Sequence, residues 1–409
     1  MSALSFALPP RNTFFNLSLS TSLCLLASYV SPDIQSVITA TKLVLPYRPS
    51  DDELYNAISS FVEELARKND YGLVPPLGPD LRRLDNLRAH LSKVTGVNVG
   101  PGADGLLKAY VEYASKLAAR GELVNELERA LSEFRDGYPN DAMVCDVPML
   151  SALAPEFMEG IRVLGTIGFK AVSSRFSFSK MRIGLHSACL GIAGLWASLI
   201  AVRDNLEYFV FPYMSTSAGL KIKTGDLREV EKRVARALRG CVPRNIPSLA
   251  LVVALTTAGI KVLVRRTILA IVQRGGKRVD LMEEGLPLSL DDLLNFADEL
   301  YELCKSEETH KRLLNLVIEG LREPRAGIED EQRARKLHEV GLKAAQLIYL
   351  ALTRALRPDE ALYWLARSLY AQSDAAFEDY AKRRGAFLTP HDIECIEEAI
   401  KAVLSRSGV

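Results

Sequence analysis

The sequence predicts an α+β protein: mixed α/β N-terminal and central parts with a basic β-rich middle, followed by a C-terminal all-α helical bundle. Three observations carry this. Apolar residues recur at helical spacing in 51–65 and again from Ser289 to the C-terminal end. Short β-branched and aromatic runs, punctuated by Gly, Pro, Asn and Asp, fill much of the stretch between. Charge is also unevenly spread: residues 160–279 hold 20 Lys and Arg against 5 Asp and Glu, a net of +15, whereas the 409-residue chain sums to +1 and the remainder to −14. These shifts set the expected boundaries at 1–155, 156–285 and 286–409, a division that suits a chain of this length.

In chain order, residues 1–50 mix apolar runs with Ser and Thr, and the segment ITATKLVLPY at 38–47 reads as a strand. The apolar run 23–30 lacks the basic leader of a secretory signal and follows Pro9-Pro10, so no such signal is expected. Asp51 and Asp52 open a helix whose inner face is Leu54, Ile58, Phe61, Val62 and Leu65, ending near 69–72. A proline-rich turn at 74–79 leads to a helix over 80–94, whose Arg82, Arg83, Arg88, His90 and Lys93 read as a solvated face. Gly96, Gly100, Gly102 and Gly105 precede a helix over 106–120, but the loop has no GK[ST], no GxGxxG and no strand before it, so a phosphate cradle is not expected. Another helix covers 122–134.

The basic middle opens with β-like sequence at 162–169 and 173–185. In RFSFSKMR (175–182), strand alternation puts Phe176, Phe178, Lys180 and Arg182 on one face and Arg175 on the other. Such a face can stack bases and hold phosphates, or can turn its two Phe to the core with the cations at the strand end. The run 183–202 then carries 20 residues without a formal charge, long enough for a membrane span. An integral membrane protein with spans at 183–202 and 248–264 is therefore the alternative reading. A buried helix is preferred, because Arg203-Asp204-Asn205 and a strand-like LEYFVFPY follow at once. His186 and Cys189 are three apart on that helix, too few ligands for a metal.

The sharpest local signal lies at 221–239. Asp226 can cap a helix and Gly240 can end it. Leu227, Val230, Val234 and Leu238 form one stripe, and Arg228, Lys232, Arg236 and Arg239 fall on the opposite face. Mutual repulsion of stacked cations suggests an external anion, relieved in part by Glu229 and Glu231. Further on, QRGGKR (273–278) between two β-like runs predicts a hairpin with a cationic tip. From Ser289, paired with Asp292 as a capping box, five or six helices follow, with starts at Pro358 and Thr389-Pro390 and a stop at Gly385. Tyr363, Trp364 and Leu369 are expected in the bundle core, and Lys382, Arg383 and Arg384 form a basic knot at a helix end.

The six cysteines (Cys24, Cys145, Cys189, Cys241, Cys304, Cys395) are scattered without a CxxC pair, which predicts reduced buried thiols. Five dispersed His and no visible acid, base and nucleophile set predict neither an enzyme, nor a cofactor, nor a metal. The concentrated basic charge instead predicts a nucleic-acid partner. The candidate contacts are Arg175, Lys180, Arg182, Lys221, Lys223, Arg228, Lys232, Arg236, Arg239, Arg265, Arg266, Arg274, Lys277 and Arg278.

The stretch 180–213 (KMRIGLHSACLGIAGLWASLIAVRDNLEYFVFPY), with the helical bundle after Ser289, resembles the large subunit of archaeal subtype I-A CRISPR interference complexes. The resemblance spans most of the chain and brings no catalytic motif with it. It implies a cytoplasmic, non-enzymatic subunit that contacts guide RNA and target DNA and works beside backbone subunits, small subunits and a helicase-nuclease, with no membrane. It implies that the subunit helps read the motif flanking the target and holds the opened duplex. In such complexes guide pairing reads sequence while protein reads the flanking motif and backbones.

Overall fold

A computed structural model of the chain describes residues 3–9, 13–39, 41–71, 73, 81–132, 147–148, 150–153, 182–203, 206–211, 220–241, 246–259, 268–275, 278–281, 291–303, 307–324, 330–370 and 374–406. The fold is α+β, with small antiparallel sheets and a helical C-terminal part. It divides into two compact units. The first comprises Met1–Glu231 and Val262–Pro287, and the second Lys232–Lys261 and Leu288–Val409. The expected central region 156–285 is thus shared between the two.

The first unit is built around a helix that periodicity does not reveal. After strand β1 (Leu4–Ala7), helix α1 runs over Phe14–Val30 and is buried on every side from Phe14 to Ser28. A helix apolar all round has no stripe to detect. Three of its hydroxyls bond back to its own carbonyls: Ser18 to Phe14 at 3.0 Å, Thr21 to Leu17 at 2.8 Å and Ser28 to Leu25 at 2.6 Å. Thr13 caps its start by accepting from the Asn16 amide. The single strand expected at 38–47 is instead a pair, β2 (Gln35–Ile38) and β3 (Lys42–Leu45). Thr39 breaks it, because its hydroxyl accepts the Lys42 amide at 2.9 Å and closes a turn.

Helix α2 (Asp51–Ala66) opens with a Ser50–Glu53 capping box and buries Leu54, Ile58, Phe61, Val62 and Leu65, as the spacing predicts. Helices α3 (Leu81–Thr95), α4 (Gly102–Ala118) and α5 (Leu123–Ala130) follow. A two-residue strand pair, β4 (Val147–Pro148) with β5 (Arg182–Ile183), leads into α6 (Leu185–Ser198).

The apolar run 183–202 is therefore not one helix. It is the end of β5, fourteen residues of α6 and the start of β6 (Leu199–Arg203). No helix among the described residues is long and apolar enough to cross a membrane. The span weighed at 183–202 is corrected on that ground, whereas residues 260–264 of the one weighed at 248–264 lie outside the described residues. Every residue of α6 is buried, and it lies along α1. A Cβ on Gly194 would fall 1.7 Å from the Ser18 carbonyl oxygen, so only glycine permits this approach. The ammonium of Lys68 donates to the carbonyls of Trp196, Ala197 and Leu199 and so satisfies the C-terminal end of α6.

Strand β7 (Leu206–Phe211) pairs with β6 and with β9 (Ile268–Gly275), which pairs with β10 (Arg278–Leu281), giving the order β10-β9-β7-β6. Phe209 and Phe211 of this sheet meet Phe14 of α1 edge-on at 5.4 and 5.2 Å. The other sheet has the order β1-β3-β2-β8, where β8 is Leu220–Lys223. Lys221 and Lys223 thus lie on a strand, and helix α7 begins at Thr224 and runs to Ala237. The alternation LKIK keeps 220–223 extended, and α7 starts two residues before Asp226, the cap that the sequence suggests.

The second unit is helical. Helix α8 (Ile246–Thr257), apolar on all sides, packs against α9 (Asp291–Leu303), α10 (Glu307–Leu321) and α11 (Glu331–Leu352). Helices α12 (Pro358–Tyr370), α13 (Ala375–Arg383) and α14 (Pro390–Arg406) complete it. Gly320 and Gly341 let α10 and α11 cross closely, since a Cβ on Gly341 would lie 2.2 Å from the Leu316 carbonyl oxygen. The buried Asp392 carboxylate accepts from Thr309 at 2.5 Å, Thr389 at 2.7 Å and Arg312 at 3.0 Å, tying α14 to α10. Tyr363 and Trp364 are not in the core. Helix α12 buries Ala361, Leu362, Leu365 and Leu369, leaving Tyr363 58% and Trp364 38% exposed. Leu369 is buried as expected.

Candidate nucleic-acid interface

Helix α7 follows its sequence pattern. Leu227, Val230, Val234 and Leu238 are all buried, and Gly240 ends the helix at a φ of +71°. The division between the two units falls on this helix, between Glu231 and Lys232. In the first unit, the Arg228 guanidinium donates to the Glu64 carboxylate at 2.9 Å and lies 3.8 Å from the centre of the Tyr29 ring. The Tyr29 hydroxyl donates to the same carboxylate. Burial, reinforced by Glu64, pushes the Tyr29 phenol well above its ordinary value. Burial works against a charged Arg228, but Glu64 and Tyr29 outweigh it and hold the guanidinium protonated. Glu231 pairs with Lys68 at 3.3 Å, on a different partner from the arginines it was expected to relieve.

Lys232 is half-buried, while Arg233, Arg236 and Arg239 are exposed. Arg236 has no ion pair among the described residues. Arg239 lines a cavity of about 420 Å³ in the second unit, together with Arg322 and Glu319 of α10, Glu323, and Tyr380 and Arg384 at the end of α13. Glu319 binds Arg322 at 2.5 Å and reaches Arg384 only at 3.9 Å. Arg384 also meets the Tyr380 hydroxyl at 3.4 Å. Three guanidiniums against two carboxylates leave this wall with a net positive charge. Planar guanidinium forks of this kind match phosphate oxygens. Spacing identified Arg239 in advance, and Arg384 belonged to the expected basic knot. Arg322 had no signal, because residues 62 positions apart come together here only through the crossing of helices.

The other candidates are distributed differently. Lys223 is exposed and pairs with Asp33 at 3.0 Å, and this partner raises its pKa. Arg182 lies on β5 and Lys221 on β8. Arg274 and Arg278 lie at the tip of the β9–β10 hairpin, where Arg278 opposes Gly275 and Val279 opposes Arg274. The expected hairpin is present. Arg175, Lys180, Arg265, Arg266 and Lys277 lie outside the described residues, as do the β-like runs 162–169 and 173–181.

The described residues offer little to nucleophilic or metal chemistry. They include no group of three His, Cys, Asp or Glu placed to hold a metal. Cys24, Cys189, Cys241 and Cys395 are buried. Burial pushes the Cys241 thiol up to about 11 and Cys189 higher still, which leaves both as inert thiols. His186 is buried, its Nδ1 lies 2.9 Å from the Tyr110 hydroxyl, and burial lowers its pKa to about 4. No protein-family model matches the chain, and no curated protein matches its sequence.

Proposed function

We propose that the protein is a non-catalytic nucleic-acid-binding subunit of a CRISPR guide-RNA interference complex. In this role it contacts guide RNA and target DNA in the cytoplasm, helps read the flanking motif and stabilises the opened duplex for a recruited helicase-nuclease. The observation that carries the nucleic-acid reading is the arginine-lined cavity of the second unit, which takes in Arg239, just past the C-terminal end of α7. It places several guanidinium forks within reach of one phosphate-bearing ligand. The exposed Arg233 and Arg236 on α7 and the cationic hairpin tip support the same reading. The assignment to a CRISPR complex rests on the resemblance over 180–213 and the bundle.

The test has two arms. Purification from the native host should bring down a short guide RNA with partner subunits, and a preparation free of both removes the CRISPR assignment. Binding of a duplex carrying a single-stranded tail should weaken steeply with salt. Affinity independent of salt removes the phosphate contacts.

A further inference from the structure

Among the described residues, large aromatic side chains face outward beside unpaired cations on the outer surface of α11 and α12. Tyr363 and Trp364 are exposed, with ring centres 5.5 Å apart. The Arg367 guanidinium lies 5.3 Å from the centre of the Trp364 ring, and the Lys343 ammonium of α11 lies 5.6 Å from it. Both cations are exposed, and neither has a carboxylate partner among the described residues. That sets them apart from their surroundings. Elsewhere in this unit Arg312, Arg322, Arg333, Arg335, Lys382 and Lys401 each pair with an acidic residue three or four positions away.

We infer that Tyr363, Trp364, Lys343 and Arg367 form a stacking platform for single-stranded nucleic acid, the rings taking unpaired bases and the two cations the adjoining phosphates. The inference rests on the nucleic-acid reading above and adds a second contact site, outside the basic stretch, with a stated strand preference. Chemistry selects this occupant over a protein. A stable protein interface needs a broad apolar centre, on the order of 800 Å² per partner. Here the two rings are the only exposed large hydrophobic side chains of α11 and α12. Two rings suit one or two bases, and the unpaired cations supply the charge complement of a phosphodiester. A duplex hides its base faces, so the platform favours opened strands, which the proposed subunit would have to hold.

The chain's two tryptophans make the test direct. Trp196 is fully buried, so binding-dependent emission changes report Trp364. Full-length protein is titrated with single-stranded oligothymidine and oligouridine, each about a dozen nucleotides long, and with a blunt duplex of the same length. The expected result is quenching by the single strands, absent in Trp364→Phe, whose affinity stays within about threefold because Phe also stacks. Tyr363→Ala with Trp364→Ala should lower single-strand affinity about tenfold or more. Lys343→Gln with Arg367→Gln should lower the salt slope by about 0.7 per lost contact. Single-strand binding with unchanged emission and full affinity in the double alanine variant overturns the platform while leaving the nucleic-acid reading in place. Binding confined to the duplex does the same. Concentration-dependent self-association abolished by the double alanine variant overturns it in favour of a second copy. Absence of binding to any strand overturns the broader reading, and the platform with it.

Discussion

The two halves of α7 carry the same residue type at the same helical spacing, yet they are used differently. Arg228 is held against Glu64 and Tyr29, while Arg236, two turns further on, is exposed with no ion pair among the described residues. Periodicity assigns a face to each and says nothing of what packs beside it. A cation satisfied internally contributes to folding. One left without a counter-charge is available to a ligand.

The largest effects should come from what the halves share, their apolar stripe. Leu227→Ala in the first unit and Leu238→Ala in the second should each cost about 2–5 kcal/mol of stability, read as the midpoint of urea unfolding. In a Trp364→Phe background the remaining emission comes from Trp196 of the first unit, so Leu227→Ala should shift that signal. A shift well under 1 kcal/mol would mean that the stripe does not anchor the helix.

A pH scan then addresses a buried histidine of the first unit. Burial lowers the His186 pKa to about 4 in the fold, so the unfolded chain binds the proton more readily. Its contribution is fully present above the unfolded pKa of about 6.5 and is lost as pH falls toward 4, on the order of 3 kcal/mol in total. His186→Gln should flatten that slope, and an unchanged slope would assign the acid sensitivity elsewhere.

The contrast between the halves comes next. Arg228→Met should cost about 1–2 kcal/mol, because it removes a half-buried ion pair and a cation–π contact, and Glu64→Gln less, because it removes the ion pair alone, both with nucleic-acid affinity unchanged. Arg236→Glu with Arg239→Glu should do the reverse. For Arg236→Glu alone, stability should move by less than about 0.5 kcal/mol. Affinity for a duplex should drop, with the slope of log affinity against log salt falling by about 0.9 per lost contact. Equal effects of both pairs of variants on binding would erase the distinction. The smallest change is expected for Lys223→Gln, whose exposed pair with Asp33 should leave the melting temperature unmoved.

Elements with a clear local signal were legible in the sequence. Helix α2, the stripe of α7, strand β7, the β9–β10 hairpin and the starts of α12 and α14 all follow from periodicity, caps and turn residues. Helix α1 was not legible, because it is buried on every side and rich in Ser and Thr, so neither a stripe nor a helical composition marks it. The turn at Thr39 was missed because its hydroxyl bond lies outside any period. Tyr363 and Trp364 were misplaced because aromatic character predicts burial on average, whereas the stripe Leu362, Leu365 and Leu369 fixes which side faces in.

The sequence by itself determined the α+β class, the helical C-terminal part, the concentration of positive charge in 160–279 and the register of α7's apolar stripe. These are local or summed properties that a chain carries before it folds. Only the tertiary structure decided that Arg228 meets Glu64, that Arg239 joins Arg322 and Arg384 around one cavity, and that Trp364 stands outside beside Lys343 and Arg367. Each of these depends on residues distant in sequence meeting across packed helices, and a charge's role is set by the neighbour it finds there.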